Sequence, residues 1–280
     1  MRQSDLFALL AAHGFRTSKS LGQNFLIDES VPERVAESAM LTPETHVLEI
    51  GPGIGALTRY LCERAGFVTA IELDKRLPDI LRERLADCSN YEIVLGDALK
   101  LNLAPLMSRG YTDLRVAANL PYNITSPIIA KLLESHLFAS ITVMVQREFA
   151  HRAAASAGTS DYGAFTVFAR YHADCELLFD VPPDAFVPRP NVVSTVLRLT
   201  PHAPPSEVAD ERMFFRVVKA AFAQRRKTLV NALTAGFSEL SKSEIAEIVE
   251  QCGHLPTVRG ETFGIPEFAR VAELIAERIG

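Results

Sequence analysis

The run His46-Val47-Leu48-Glu49-Ile50-Gly51-Pro52-Gly53-Ile54-Gly55-Ala56 decides the fold. Residues 46–50 read as a strand and the next six as a glycine turn. Leu57, Tyr60 and Leu61 then recur at helical spacing, so a helix follows. Strand, glycine turn and helix open a Rossmann-like α/β sheet, whose ligands sit at the carboxyl ends of the strands. Working outward, β-rich runs at 67–71, 91–95, 115–118 and 141–146 alternate with helix-length segments, the pattern of a parallel sheet covered by helices. Runs at 175–181 and 191–199 are joined through Pro182, Pro183, Pro188 and Pro190, with no helix between, which predicts an antiparallel edge hairpin. Residues 201–205 read as a linker. From 210 to 280 helical periodicity is broken at Gly236, 253–256 and 264–266. The expected organisation is an α/β catalytic domain over 1–200 and a small all-helical domain over 201–280.

With 280 residues, 48% of them hydrophobic, the chain can bury a full-size core. Its 29 basic and 34 acidic residues give a net charge of -5, and residues 201–280 hold 10 basic against 11 acidic side chains. Neither segment is basic as a whole, so nucleic acid has to meet a local patch. Cys62, Cys88, Cys175 and Cys252 stand far apart, which predicts neither a zinc knuckle nor a disulfide framework and points to a reducing cytosol. The N-terminus lacks signal-peptide features, and no apolar run reaches the roughly 20 residues of a membrane span. A soluble cytoplasmic protein is expected.

The glycine turn leaves the cofactor open, because Gly51, Gly53 and Ala56 also satisfy the dinucleotide pattern. Glu72 ends the second strand, where a carboxylate accepts hydrogen bonds from both hydroxyls of a ribose. NAD and S-adenosylmethionine (SAM) share that ribose. Gly96-Asp97-Ala98 after the third strand offers a carboxylate to an adenine amine, and an acid at Glu49 suits a loop with no pyrophosphate to accommodate.

The fourth strand ends in Asn119-Leu120-Pro121-Tyr122, which chooses the chemistry. An adenine N6 amine is a poor nucleophile, its lone pair being delocalised into the ring. The Asn119 side-chain oxygen and the Leu120 carbonyl can accept its two hydrogens and aim the lone pair at a methyl donor. Pro121 restricts Leu120 to extended backbone, and Tyr122 can stack on an unstacked base. Such a transfer needs no metal, thiolate or strong base, because the sulfonium supplies the driving force.

Together these motifs resemble the KsgA (RsmA) family of ribosomal RNA adenine N6,N6-dimethyltransferases. The resemblance spans nearly the whole chain, from Lys19-Ser20-Leu21-Gly22-Gln23-Asn24-Phe25-Leu26, like the family's cofactor lid, through the motifs above. It continues in Gln146-Arg147-Glu148, Asp161-Tyr162-Gly163, Phe186-Val187-Pro188-Arg189-Pro190-Asn191-Val192 and Arg225-Arg226-Lys227. The resemblance implies a SAM site lined by Asn24, Leu26, Gly51, Gly53, Glu72, Leu73, Asp97, Ala98 and Asn119, with no metal. It implies that Asn119, Leu120, Pro121 and Tyr122 act on the target adenine, with Phe186 on the face opposite Tyr122. The substrate it implies is two adjacent adenosines near the 3′ end of 16S rRNA in the 30S subunit, modified late in ribosome biogenesis by a monomer away from membranes. Loss of that modification is associated with kasugamycin resistance.

For RNA contact, Arg225, Arg226 and Lys227 read as part of a helix with Arg216 and Lys219 upstream, Lys219 and Arg226 sharing a face. Arg147, Arg152, Arg16 and Lys19 offer further basic surface. Among rivals, the related Erm group commonly has Ile at position 120, and DNA adenine methyltransferases usually carry a second proline there. A noncatalytic assembly factor would not need Asn119 and Tyr122, and an NAD dehydrogenase leaves the tetrad unexplained.

Overall fold

The structure is a computed structural model that describes residues 3–15, 23–224 and 226–280. The strand of the opening run, β2 (Thr45–Ile50), is buried at every residue and lies third in the seven-stranded sheet. Parallel to it on one side runs β3 (Phe67–Glu72), followed by β4 (Tyr91–Leu95). On the other side come β5 (Asp113–Asn119) and β6 (Ser140–Gln146), also parallel. Burial on both faces of β2, β3 and β6 is why these strands read as nearly continuous apolar runs. Helices α3 (Ala56–Arg64), α4 (Pro78–Arg84), α5 (Leu103–Leu106) and α6 (Thr125–Glu134) lie in the connections. In the α3 connection Leu57 and Leu61 are the buried positions that the spacing marks.

The chain reverses its direction of travel across the sheet at β2: β3 and β4 add on one side, β5 and β6 on the other. A crevice opens at such a switch point beyond the carboxyl ends of the strands.

Beyond β6 the order continues with β9 (Ser194–Pro201) and then β7 (Ala173–Val181) at the edge. β9 is antiparallel to β6, with Ile141 opposite Leu199 and Gln146 opposite Ser194. Thr195 donates to Asp180 at 2.6 Å and Arg198 to Glu176 at 2.5 Å, so β7 and β9 run in opposite directions, as the predicted hairpin requires. The second hairpin strand starts at Ser194 rather than at 191, its first residues being bends.

Two features of the N-terminal part are invisible to periodicity. α1 (Gln3–Ala12) buries Leu6 and Leu10 with Phe15, Phe25, Ile54 and Leu77 in a side cluster of the core. A two-residue strand, β1 (Phe25–Leu26), pairs antiparallel with β8 (Phe186–Val187), ahead of α2 (Ser30–Ser38).

The helical part has α9 (Glu211–Ala223), α10 (Leu229–Gly236), α11 (Lys242–Gln251) and α12 (Ile265–Ile279), with breaks where the glycines and prolines stand. Its core holds Phe214, Leu233, Phe237, Ile248, Phe263 and Phe268. Three of these four starts have a side-chain cap: Asp210 accepts from the Met213 N–H, Thr228 from that of Asn231, and Ser241 forms a reciprocal box with Glu244.

The single boundary expected at residue 200 is corrected. One compact unit comprises 1–150 with 174–201, and the other 151–173 with 202–280. Within 151–173, α7 (Arg147–Ala154) ends and α8 (Ala164–His172) follows. Tyr162, Val167 and Tyr171 bury in the helical core, and the Tyr162 hydroxyl donates to the Phe263 carbonyl at 2.7 Å. An apolar helix face records that it must be covered, not by which unit.

Candidate active site

A cleft of about 1070 Å³ opens at the switch point, lined by the turn after β2, the ends of β3, β4 and β5, and residues 23–26. Gly51, Gly53 and Gly55 have φ of 70°, 60° and 80°, the left-handed region that glycine enters without strain. At Gly53 a Cβ would come within 3.3 Å of the Phe25 ring, which would have to give by a few tenths of an ångström to admit it. The turn is tied down by Gly51 N–H to the Ile71 carbonyl, 2.9 Å, and Gly55 N–H to the Pro52 carbonyl, 2.9 Å.

Glu72 is buried at the end of β3. One carboxylate oxygen accepts the Gly53 N–H at 3.2 Å and the other the Asp74 N–H at 2.8 Å. Those bonds orient the group and leave lone pairs on both oxygens for a diol. Burial pushes its carboxyl up, and the bonds from Asp74 and Gly53 oppose that. Glu49 is 1% exposed, and its Oε2 has no hydrogen-bond partner among the described residues. Burial, with the Glu72 charge adding to it, pushes its carboxyl up to about 8. Asp97, following β4, turns its loop by accepting the Leu99 N–H at 3.0 Å, and stays partly open to the cleft. Asn24, Leu26, Leu73 and Ala98 line the same cleft.

The tetrad closes the other side. Asn119 ends β5 opposite Met144, and the Leu120 N–H donates to the Met144 carbonyl at 3.1 Å, which seats the turn on β6. The Pro121 carbonyl accepts the Ile124 N–H at 3.2 Å, and Thr125 Oγ1 donates to the Pro121 and Tyr122 carbonyls, so α6 starts directly from the turn. The Tyr122 hydroxyl pairs with Ser194 Oγ at 2.7 Å, anchoring the ring from its far end. Asn119, Leu120, Pro121 and Tyr122 thus share one cleft with Gly51, Gly53, Glu72 and Asp97.

Phe186 is not among the residues of that cleft. It is 2% exposed, and strand alternation places it with Leu26 in the main core, while Val187 and Phe25 face the α1 side. The predicted stacking face is covered; Phe186 instead backs Leu26 in the cleft wall. The helix expected through the basic cluster is corrected as well. α9 ends at Ala223, Lys227 N–H closes a turn on the Gln224 carbonyl, and Thr228 already caps α10. Arg226 and Lys227 are exposed on that turn, so helical spacing to Lys219 does not apply. Arg225 lies outside the described residues, as do Arg16 and Lys19 to Gly22 of the lid motif. Arg147 starts α7 and sits 3.8 Å from Asp180. Ser194 and Lys131, which hold the tetrad and the Asp97 loop, give no signal in the sequence because they act on groups distant along the chain.

Three carboxylates line the cleft, and none of its described lining residues is Lys or Arg. These acceptors, with no cation among them and Glu49 held largely neutral by its burial, disfavour a pyrophosphate and suit a cationic ligand carrying a diol and an amine, which SAM is. A sheet of this order with this turn and cleft defines a SAM-dependent methyltransferase of Rossmann-like fold.

The chain belongs to the ribosomal RNA adenine dimethylase family, whose model matches residues 14–252. A relative in Lachnoclostridium phytofermentans, ribosomal RNA small subunit methyltransferase A, is 43% identical over 97% of this chain and 96% of that protein. Its namesake in Lactococcus lactis is 42% identical over 95% and 92%. Among solved structures, a dimethyladenosine transferase from Plasmodium falciparum superposes with a TM-score of 0.74 at 24% identity, covering 91% of this chain and 98% of that one. The 23S rRNA methyltransferase ErmE gives 0.67 at 29%, covering 90% and 100%. No described helix is long and apolar enough to cross a membrane.

Proposed function

We propose that the protein transfers methyl groups from SAM to N6 of two adjacent adenosines near the 3′ end of 16S rRNA, in the 30S subunit or its precursor. The carrying observation is one cleft with an acidic adenosine-type pocket at one end and the Asn119 tetrad at the other. SAM in that cleft supplies an electrophilic methyl on a sulfonium. Asn24, Leu26, the turn at Gly51 and Gly53, Glu72, Leu73, Asp97 and Ala98 would hold it.

The Asn119 oxygen and the Leu120 carbonyl accept the two amine hydrogens of the target, turning its lone pair toward the methyl. Tyr122, held by Ser194, offers one face to the extruded base, worth about 1–3 kcal/mol by analogy with base stacking on single strands. Bound there, SAM would supply the methyl to that nitrogen and its sulfur would keep the electron pair of the broken carbon–sulfur bond, the surplus amine proton leaving to water. A second round at the same nitrogen completes dimethylation. Exposed Arg226 and Lys227, with Arg225, would position RNA through its phosphates, which carry no sequence information. The protein acts in the cytoplasm as a monomer in this reading.

The test offers labelled SAM with undermethylated 30S particles, 50S particles, naked rRNA and duplex DNA. Label recovered as N6,N6-dimethyladenosine from 30S alone is the expected result. Label in 50S would move the substrate to the large subunit, and label in DNA would overturn the RNA assignment.

A further inference from the structure

Lys131 lies on α6, two turns beyond the tetrad, and no step of the transfer uses it. Its side chain runs back beneath the loop after β4. Nζ donates to the Ala98 carbonyl at 2.8 Å and to the Leu101 carbonyl at 2.5 Å. Those carbonyls belong to the turn that carries Asp97, itself closed by Lys100 and Leu101 N–H groups on the Asp97 carbonyl at 2.8 and 3.0 Å. Two carbonyl dipoles converging on one point repel each other unless a donor stands between them. An ammonium, with three donors, satisfies both and keeps one bond in hand. Partial burial holds the ammonium below the ordinary lysine range, and the Asp97 charge opposes that shift.

α6 is also the helix that starts from the tetrad, through the bonds of Thr125 to Pro121 and Tyr122. One side chain therefore bolts the helix of the amine-gripping turn to the loop that faces the cofactor adenine.

We propose that Lys131 is a positioning residue that holds Asp97 and Ala98 at the adenine end of the cleft and thereby sets selectivity for an adenine over a purine without the amine. This rests on the SAM reading of the cleft. The consequence is specific: removing the ammonium releases the Asp97 loop and weakens recognition of the amine, while the ribose grip at Glu72 stays.

The test measures binding of S-adenosylhomocysteine and of its inosine analogue, which has a ring carbonyl in place of the amine, to the full chain by calorimetry. Wild type is expected to favour the adenine compound. Lys131→Met should lose at least tenfold in affinity for it and little for the inosine compound, and Lys131→Arg should recover most of the preference. The pair Lys131→Met with Asp97→Ala should bind no worse than Asp97→Ala alone, because the lysine acts through that carboxylate. Equal loss for both ligands in Lys131→Met, or preference retained without the ammonium, overturns the proposal. Wild type that binds neither compound overturns the SAM reading itself, and this inference with it.

Discussion

Glu49 shows how one buried side chain in the cleft can cost the fold stability. It lies at the end of β2 against the glycine turn, with one oxygen unpartnered among the described residues. Unfolded, its carboxyl titrates near the ordinary 4.5; folded, burial holds it at about 8. A carboxyl raised by folding leaves stability intact below the unfolded value and erodes it as pH climbs through the window from 4.5 to 8. Glu49→Gln removes that erosion. Without ligand, the variant should match wild type near pH 4 and exceed it on the order of 3 kcal/mol at pH 7, read by urea unfolding at both values. An equal difference at both pH values would show that the carboxyl is not the source. Glu72 and Asp97 differ from it in having protein donors of their own, Gly53 and Asp74 for the first and Leu99 for the second.

At the scale of elements, what could be read in the sequence was what local physics determines. Among the parallel strands, β2, β3 and β6 stand out because burial on both faces makes them continuous apolar runs, and the glycine turn because three left-handed residues in five positions need glycine. Gly51, Glu72, Asp97 and Asn119 could be grouped as a candidate site from the sequence, and they line one cleft, because each ends or follows one of the parallel strands. The β1 and β8 pairing was not legible: two residues each, Phe25 opposite Val187, far apart along the chain. Phe186 was misplaced for that reason, since alternation within so short a strand decides which face it takes. Arg226 and Lys227 stand on a turn and not on the expected helix because Thr228 begins a new one. Capping carries a measurable share of the helical unit. Ser241 accepts the Glu244 N–H and Glu244 answers the Ser241 N–H at 2.7 Å, so Ser241→Ala should cost about 1 kcal/mol of stability. Faster amide exchange in α11 with unchanged methyl transfer would be the signature; no change in exchange would remove the cap from the account.

For the whole molecule, a net charge of -5 means that RNA is drawn in by a patch and not by the general field. Arg225 and Arg226 replaced together by Glu should weaken 30S binding at least tenfold at low salt and make the remaining binding less sensitive to salt, with SAM affinity unchanged; equal loss of both would point to a folding defect. The most direct measurement concerns Asn119, where the proposed mechanism brings cofactor and target together. Single-turnover methyl transfer to undermethylated 30S particles, with SAM binding measured on the same samples, should show Asn119→Ala holding the cofactor within several-fold while transfer falls about a hundredfold or more. Transfer within a few-fold of wild type at saturating SAM would contradict the claim that this carboxamide grips the amine.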